Sequence, residues 1–216
     1  MSSHILRHAS SSAAILAAFA IVGTALLAAT YTVTRPIIAE TEKQAKLALI
    51  GQILPKTLYD NDILKDAAQL PPAEALGNRD ATPVLRATKD GKPSAAVLEV
   101  TAPDGYSGRI RMIVAIRADG AVSGVRVVSH NETPGLGDYI DIAKSPWIGV
   151  FEGKSLANYS DRDWKVTKDG GKFEHMAGAT VSPRAVVKAV HKSLQYFAAH
   201  RDDIFALPAY RQESAK

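Results

Sequence analysis

The sequence contains no cysteine in its 216 residues. This absence excludes zinc ribbons, cysteine-ligated iron–sulfur clusters, catalytic thiols and disulfides. It does not identify a compartment, because exported and cytosolic domains can both lack cysteine. If the protein takes part in redox chemistry, an organic cofactor or a metal held by histidine and carboxylate groups must carry the electrons.

A concentration of charge of one sign is also missing. The chain has 26 Lys and Arg against 22 Asp and Glu, a formal net charge of +4. The cations are scattered singly, with no basic stripe and no interleaved aromatic residues, so nucleic acid is not an expected partner. With 46% hydrophobic and 22% charged residues, the composition is typical of a folded globular protein. The length allows one domain of ordinary size and an anchor.

Charged residues are absent between His8 and Arg35, and residues 13–33 are almost wholly apolar. About 20 apolar residues, rising ~1.5 Å each, span a hydrocarbon core of roughly 30 Å. A signal peptide normally has a shorter apolar region and a clear cleavage site, and a buried core helix is rarely apolar on every face. The sequence predicts a transmembrane helix over residues 13–34 after a short N-terminal segment, 1–12. A cleaved signal peptide and a buried core helix are the alternatives. Counts of Lys and Arg on either side do not decide its orientation.

Three further divisions follow the predicted anchor. Residues 35–80 are predicted to be a membrane-proximal helical segment, in which an amphipathic helix starts at Pro36 and ends before Pro55. Residues 81–205 are predicted to form the functional domain, and residues 206–216 a C-terminal tail.

The strand patterns in the domain are those of two hairpins, each with a turn of the Asp-Gly type. The first pairs Val84–Thr88 with Ala95–Thr101 around Asp90-Gly91, and the second pairs Ile110–Ile116 with Val122–Val128 around Asp119-Gly120.

The last helix is predicted to begin with Ser182 as its N-cap and Pro183 as its first residue, and to end near Ala199. The predicted fold class is α+β: a twisted, mainly antiparallel sheet with flanking helices, plus one N-terminal transmembrane helix.

The segment Ala177-Gly178-Ala179-Thr180 directly precedes that helix. Small neighbours leave the Thr180 hydroxyl sterically open, and the helix N-terminus offers unpaired N–H groups and a positive dipole to an anion. Arg184 adds positive charge in the first turn. Because an unaided alcohol is a poor nucleophile, and no Ser-His-Asp arrangement surrounds Thr180 in the sequence, we interpret it as a point of modification. A plain tight turn into a helix is the alternative.

Two loops also suggest a binding site. In the run from His130 to Asp138, Pro134-Gly135 favours a type II turn, and Gly137 allows a second reversal that exposes backbone groups to a planar ligand. A metal site made by His130, Glu132 and Asp138 is conceivable, but the spacing is not that of a strong ligand set. The run from Asp104 to Gly108 is a glycine-flanked loop before a strand, for which a plain turn is the default interpretation.

Three segments together resemble the FMN-binding domain of ion-pumping respiratory complexes. They are Gly-Tyr-x-Gly (Gly105 to Gly108), His-x-Glu-Thr-Pro-Gly-Leu-Gly (His130 to Gly137) and Gly-Ala-Thr (Gly178 to Thr180). The resemblance extends from the anchor to the last helix, and its specific part is the run from Glu132 to Gly137. Length and the run from Ala177 to Val187 are most similar to the G subunit of Rnf-type electron transport complexes. The related C subunit of the sodium-pumping quinone reductase is usually longer and more often has Ser in place of Ala177.

The resemblance implies that Thr180 carries FMN through a phosphoester, installed by a separate flavin transferase that uses FAD. The family usually has Asp six residues before the modified threonine, where this chain has Glu174. The predicted FMN-binding residues are Thr180 (covalent), Gly178, Ala179, Ser182, Arg184, Tyr106, Glu132, Thr133, Gly135, Leu136 and Gly137, with no catalytic residue and no metal ligand.

The resemblance also implies a role. The protein would relay electrons in a complex that couples ferredoxin–NAD electron transfer to ion movement, with other membrane subunits as its partners. It would lie in the bacterial inner membrane with its FMN domain on the periplasmic side, and would not be catalytic alone. A stand-alone membrane-anchored flavin reductase and a non-redox ligand-binding or sensor domain are the alternative functions.

Overall fold

The computed structural model of the protein describes residues 2–210, with side chains from residue 12 onward and that of His8. Most of the predicted tail, 206–216, lies outside the described residues. The chain divides into two compact units, Met1–Leu47 and Ala48–Lys216. Within the described residues, α1 is Ser2–Ile53 and α2 is Val181–Ala206, and the five strands are β1 Ala68–Leu70, β2 Thr82–Lys89, β3 Lys92–Gly105, β4 Gly108–Arg117 and β5 Val122–Ser129.

Helix α1 is a single helix with Pro36 inside it. The prediction of a separate second helix starting at Pro36 was therefore wrong. Proline removes one backbone hydrogen bond, but the surrounding apolar helix is long enough to continue through that loss. Its end at Ile53, two residues before Pro55, is as expected.

The stretch Ser12–Ile53 of α1 is long and apolar enough to cross a membrane by length and composition. None of its most apolar window is buried, so the alternative of a buried core helix is wrong. Its large side chains, among them Leu16, Phe19 and Leu27, are exposed. Exposure of so many large apolar side chains is costly in water and favourable in lipid.

The five strands form one sheet in the order β1-β2-β3-β4-β5, with every neighbouring pair antiparallel. Both predicted hairpins are confirmed. The turn between β2 and β3 has positive φ at Asp90 (51°) and Gly91 (71°), as a type I′ turn requires. Strand β1 was not predicted, because three residues are too few to show an alternating pattern.

Both faces of the sheet are covered in its centre, which explains the nearly continuous apolar run of β4. Met112, Val114 and Ile116 belong to the main core beneath α2, while Ile113 and Ala115 are buried without joining that cluster. The main core also contains the predicted apolar face of α2, namely Val186, Val190, Leu194 and Phe197. The fold class predicted from the sequence is confirmed.

The last turn of α1, which belongs to the second unit, packs on β5. The hydroxyl of Ser123 donates to the carbonyl oxygen of Ile53 at 2.6 Å. A Cβ on Gly124 would approach Ile53 Cγ2 to 2.6 Å, so glycine permits this close packing. Nearby, Arg126 Nε donates to Gln52 Oε1 at 2.8 Å.

Arg86 of β2, which is 5% exposed, holds the C-terminal end of α2. Its guanidinium donates to the carbonyl oxygens of Phe205 (3.2 Å) and Leu207, and to Asp66 Oδ1 at 2.6 Å. These bonds satisfy terminal carbonyl groups that have no partner within the helix. Helix α2 extends to Ala206, beyond the predicted end near Ala199.

Candidate functional site

A buried carboxylate joins the three segments that the sequence analysis singled out. Glu132, 4% exposed, follows β5. Its Oε1 accepts a hydrogen bond from the backbone N–H of Ser107 at 3.0 Å, in the turn between β3 and β4. Its Oε2 accepts from the hydroxyl of Ser182, in the first turn of α2. The predicted site segments thus lie together in the folded domain.

Two glycines allow this close approach. A Cβ on Gly137 would lie 2.7 Å from Ser182 Oγ and 3.0 Å from Glu132 Oε2. A Cβ on Gly105 would lie 2.8 Å from Glu132 Oε1. Distances this short are not available to real Cβ atoms without a shift of the neighbours, so only glycine fits the observed arrangement at both positions.

The role predicted for Ser182 as the N-cap of α2 was wrong. The helix begins at Val181, with Thr180 as its N-cap. The Ser182 hydroxyl instead donates to Glu132, because folding brings a buried carboxylate within its reach. A charged acceptor in a buried site outcompetes a local backbone contact.

The loop from Thr133 to Asp138 is held by its own hydrogen bonds. The carbonyl oxygen of Thr133 accepts from the backbone N–H groups of Leu136 and Gly137, both at 3.1 Å. Asp138 Oδ1 accepts from the N–H of Gly135 at 2.9 Å, and Gly135 has a φ of 74°. These bonds fix the backbone while the residues from Thr133 to Leu136 remain exposed.

The segment before α2 places Thr180 at a helix N-terminus with its side chain unused. Thr180 is half-buried, and its side chain makes no capping hydrogen bond. Its carbonyl oxygen accepts from the N–H of Arg184 at 3.2 Å, the first bond of the helix. Gly178 has a φ of 84°, which allows the chain to turn into the helix. The hydroxyl of Thr180 is therefore available for another use.

Tyr139, which the sequence analysis did not single out, ties the loop after β5 to this segment. Its hydroxyl accepts from the backbone N–H of Met176 at 3.0 Å and donates to the carbonyl oxygen of Ala179 at 3.3 Å. Burial raises the pKa of the Tyr139 phenol, with the Met176 N–H opposing it, so the group stays a neutral donor. In the sequence, the position of Tyr139 directly after a glycine-rich loop could have indicated a role in the site. Its hydrogen-bond partners, however, are too distant in the chain to be predicted.

Tyr139 in turn contacts Trp147 edge to face, with ring centroids 5.5 Å apart. The Trp147 indole N–H donates to the carbonyl oxygen of Glu174 at 2.7 Å. The backbone at Glu174 is thereby fixed, while the residue itself is exposed.

Four large apolar side chains are exposed on these same segments. Tyr106 is 72% exposed, Leu136 49%, Met176 46% and Val181 38%. We call these four residues the apolar surface. Met176 and Val181 belong to the chain segment of Thr180, while Tyr106 and Leu136 belong to the two segments that Glu132 joins to the start of α2.

Arg184 is paired rather than free. Its guanidinium makes two hydrogen bonds to Asp169, Nε to Oδ2 at 2.6 Å and Nη2 to Oδ1 at 2.8 Å. The Arg184 hydrogen bond lowers the pKa of the Asp169 carboxyl, and that of Asp169 raises the pKa of Arg184. The sequence could not reveal this pairing, which reduces the positive charge that Arg184 presents to an anion.

The metal site considered for His130, Glu132 and Asp138 has no support from their geometry. His130 Nδ1 accepts from the Glu132 N–H at 3.0 Å, and the two carboxylates make the hydrogen bonds described above. Among the residues that the structure describes, no group of three or more His, Asp or Glu side chains could hold a metal ion.

Fold and site together define a class of protein. In this class a membrane-length helix is followed in the chain by an α+β domain, in which a threonine with an unbonded hydroxyl stands at a helix N-terminus beside exposed apolar side chains. Residues 105–195 match the FMN-binding domain family, and residues 1–53 match the RnfG N-terminal region. The chain belongs to the family of G subunits of ion-translocating oxidoreductase complexes, as the relatives below establish.

Proteins described as this G subunit are similar to the chain over nearly its whole length. The one from Aliivibrio fischeri (strain MJ11) is 44% identical over 197 residues, which cover 91% of this chain and 94% of the relative. The one from Pseudomonas aeruginosa (strain UCBPP-PA14) is 46% identical over 194 residues, 90% of this chain and 91% of the relative. The one from Shewanella oneidensis is 43% identical over 194 residues, 90% and 92% respectively. The family predicted from the sequence is confirmed.

Proposed function

We propose that this protein is a membrane-anchored electron-transfer subunit of an Rnf-type ion-translocating oxidoreductase, and that it carries FMN in a phosphoester bond to Thr180. The observation that carries the proposal is the half-buried Thr180 hydroxyl, which makes no capping bond at the start of α2, within a match to the FMN-binding domain family.

The residues around Thr180 fit a phosphate ester. The first N–H groups of a helix have no partners within it, and the helix dipole stabilises a negative group there by roughly 0.3–1 kcal/mol at an exposed site. In the attachment reaction, the Thr180 oxygen would bond to the phosphorus of the FMN half of FAD and lose its proton, while the pyrophosphate bond of FAD breaks and AMP leaves. The turn at Gly178 and the hydrogen bond from Tyr139 to the Ala179 carbonyl hold that oxygen at the surface, where a separate flavin transferase can reach it.

The apolar surface fits the planar ring of a flavin. Leu136 and Tyr106 offer exposed apolar side chains, and the self-bonded loop from Thr133 to Gly137 offers a fixed backbone. FMN, when bound, supplies a centre that accepts and releases electrons. The chain's own part is to hold that group at a fixed place and to leave one side of the site open.

The proposed complex supplies the other partners. Helix α1 would hold the protein in the bacterial inner membrane, with the second unit on the periplasmic side and other membrane subunits as electron donors and acceptors. The protein would act as part of that complex and would not be catalytic alone.

The test is the mass of the peptide containing Thr180 after co-expression with a flavin transferase. We expect a peptide heavier by one FMN less one water, and no such peptide in the Thr180→Val variant. The Thr133→Ala variant should keep the modification but change the redox potential of the flavin, because Thr133 is proposed to contact the ring.

The two alternative functions give different results. A stand-alone flavin reductase would show steady turnover of a soluble substrate by the purified protein. A non-redox binding domain would purify without flavin even when well folded and co-expressed with the transferase, and that result would contradict the proposal.

A further inference from the structure

A second feature of the domain is a groove of about 440 Å³ between α2, the end of β3 and the turn before β2. Its lining includes the apolar residues Pro72, Ala75, Pro103 and Ala189. We call it the α2–β3 groove. None of the predicted FMN-binding residues lines it.

The lining of the α2–β3 groove also includes four cations, Arg79, Arg109, Lys188 and Lys192. We call these four residues the rim and the apolar residues of the lining the floor. Lys188 is paired with Asp104 across the groove, with Nζ and Oδ2 2.5 Å apart.

The other three rim cations, Arg79, Arg109 and Lys192, are exposed and make no ion pair with the described residues. Besides Asp104, the one carboxylate in the lining is Glu74. Positive charge thus remains unneutralised around an apolar floor.

The groove adjoins the proposed flavin site. Asp104 and Arg109 lie on either side of the turn that carries Tyr106. Lys188 is eight residues after Thr180 on α2, about 12 Å along the helix at ~1.5 Å per residue. A molecule bound in the groove would therefore lie beside the apolar surface.

The chemistry of the groove favours an extended acidic chain over a compact phosphate. Asn78, in its wall, donates its amide N–H groups to the Glu99 carbonyl at 2.7 Å and to Thr82 Oγ1 at 3.3 Å. Neither N–H group is therefore directed at an anion in the groove. Apolar residues beside unpaired arginines are instead a combination typical of protein interfaces, in which arginine is enriched.

We propose that the α2–β3 groove docks an acidic segment of a protein partner, with an apolar side chain of that segment on the floor and its carboxylates on Arg79, Arg109 and Lys192. Docking there brings the partner's redox group next to the flavin. The inference about the redox group rests on the proposed function, whereas the docking of an acidic segment does not. Charge complementarity of this kind acts mainly on the rate of encounter and on its orientation.

The test in the complex uses the full-length protein with its partner subunits in membranes. The Arg109→Glu/Lys192→Glu variant reverses two rim charges. The control, Lys56→Glu/Lys92→Glu, makes the same charge change near the β2–β3 turn, where Lys92 lies at the opposite end of β3, roughly 35 Å away at ~3.3 Å per residue. The measurement is the rate of flavin bleaching after NADH is added, at low and high salt.

We expect the groove variant to bleach at least about tenfold more slowly at low salt, within the range of electrostatic steering. The difference should narrow as salt rises, and the control should stay within about twofold of the wild type. Equal rates in wild type and groove variant, or equal slowing in the control, would overturn the proposal. Flavin content and the Trp fluorescence unfolding curve establish that each variant is folded and loaded.

A binding assay separates this proposal from the proposed function. The probe is a fluorescein-labelled peptide of glutamates around one phenylalanine, titrated into the full-length protein in detergent at low salt. We expect wild type and the flavin-free Thr180→Val variant to bind it alike, and the groove variant to lose binding at least about tenfold.

Inorganic pyrophosphate serves as the competing anion. If pyrophosphate binds the wild type and the peptide does not, the groove is a phosphate site and the proposed acidic segment is wrong. If the wild type lacks flavin yet binds the peptide, the proposed function fails and the docking site stands.

Discussion

The bond between Glu132 and Ser182 can be tested by removing one partner at a time. Ser182→Ala deletes the hydroxyl that donates to Glu132 Oε2, and leaves one oxygen of a carboxylate that is 4% exposed without that donor. Hydrogen bonds to charged groups contribute about 1.5–3 kcal/mol. We expect Ser182→Ala to lower the free energy of unfolding by that amount.

Glu132→Gln should cost less, about 1 kcal/mol, because the amide keeps the shape of the carboxylate. Its oxygen can accept from the Ser107 N–H and its NH₂ can donate to the Ser182 hydroxyl, so both contacts persist without the charge. A double-mutant cycle with Glu132→Ala and Ser182→Ala should give a coupling energy of about 1.5–3 kcal/mol.

Two glycine substitutions separate crowding at this bond from backbone strain. Gly137→Ala inserts a Cβ 2.7 Å from Ser182 Oγ, and we expect a loss of about 1–3 kcal/mol from overpacking. In the matched control, Gly135→Ala, a Cβ would meet nothing within 4 Å but the φ is 74°. Only backbone strain of about 1–2 kcal/mol is expected there.

The assay is denaturant unfolding of the full-length protein in detergent, followed by tryptophan fluorescence. Both tryptophans, Trp147 and Trp164, lie in the second unit, so the signal reports that unit. A cost below about 0.5 kcal/mol for Ser182→Ala, or a coupling energy near zero, would refute the account of Glu132 as the group that joins the site segments.

Three further predictions concern other parts of the domain. Arg86→Met removes the guanidinium that holds the end of α2, and should lower the free energy of unfolding by about 3–5 kcal/mol, measured by the same denaturant assay. Tyr139→Phe loses the bonds to Met176 and Ala179, so we expect the free energy of unfolding to fall by about 1–2 kcal/mol. FMN should also attach more slowly, as measured by in-gel flavin fluorescence during incubation with the transferase and FAD. Burial of His191 in α2 lowers its pKa below the ordinary value of 6.5, so the folded state binds fewer protons than the unfolded state. The contribution of His191 to the free energy of unfolding is therefore fully present above pH 6.5 and is lost as the pH falls through the lowered pKa. His191→Gln should flatten that part of a stability–pH profile, and an unchanged slope would contradict the assignment.

Local chemistry in the sequence determined much of the fold. Both hairpins could be predicted because Asp-Gly turns and alternating apolar residues are signals within a few residues of each other. The membrane-length helix followed from composition alone, since every face is apolar over its length. The candidate modification point at Thr180 also followed from neighbours in the chain.

Other features could not be predicted because the contacts that decide them are distant in the sequence. Ser182 has the chemistry of an N-cap, but the folded chain places a buried carboxylate beside it. Arg184 has the position of an anion-binding residue, but Asp169 takes up its guanidinium. The three residues of β1 gain their strand structure from pairing with β2, and not from any pattern of their own.

The sequence by itself thus determined the kinds of elements, the family and the residue on which the proposed chemistry depends. Only the tertiary structure decided that Glu132 joins the site segments through partners 25 and 50 residues away, and that unpaired cations surround an apolar groove beside them. The physical reason is that turns and helix faces are set by interactions between near neighbours. Burial, by contrast, gives a carboxylate or a cation its partners only after distant segments have packed together.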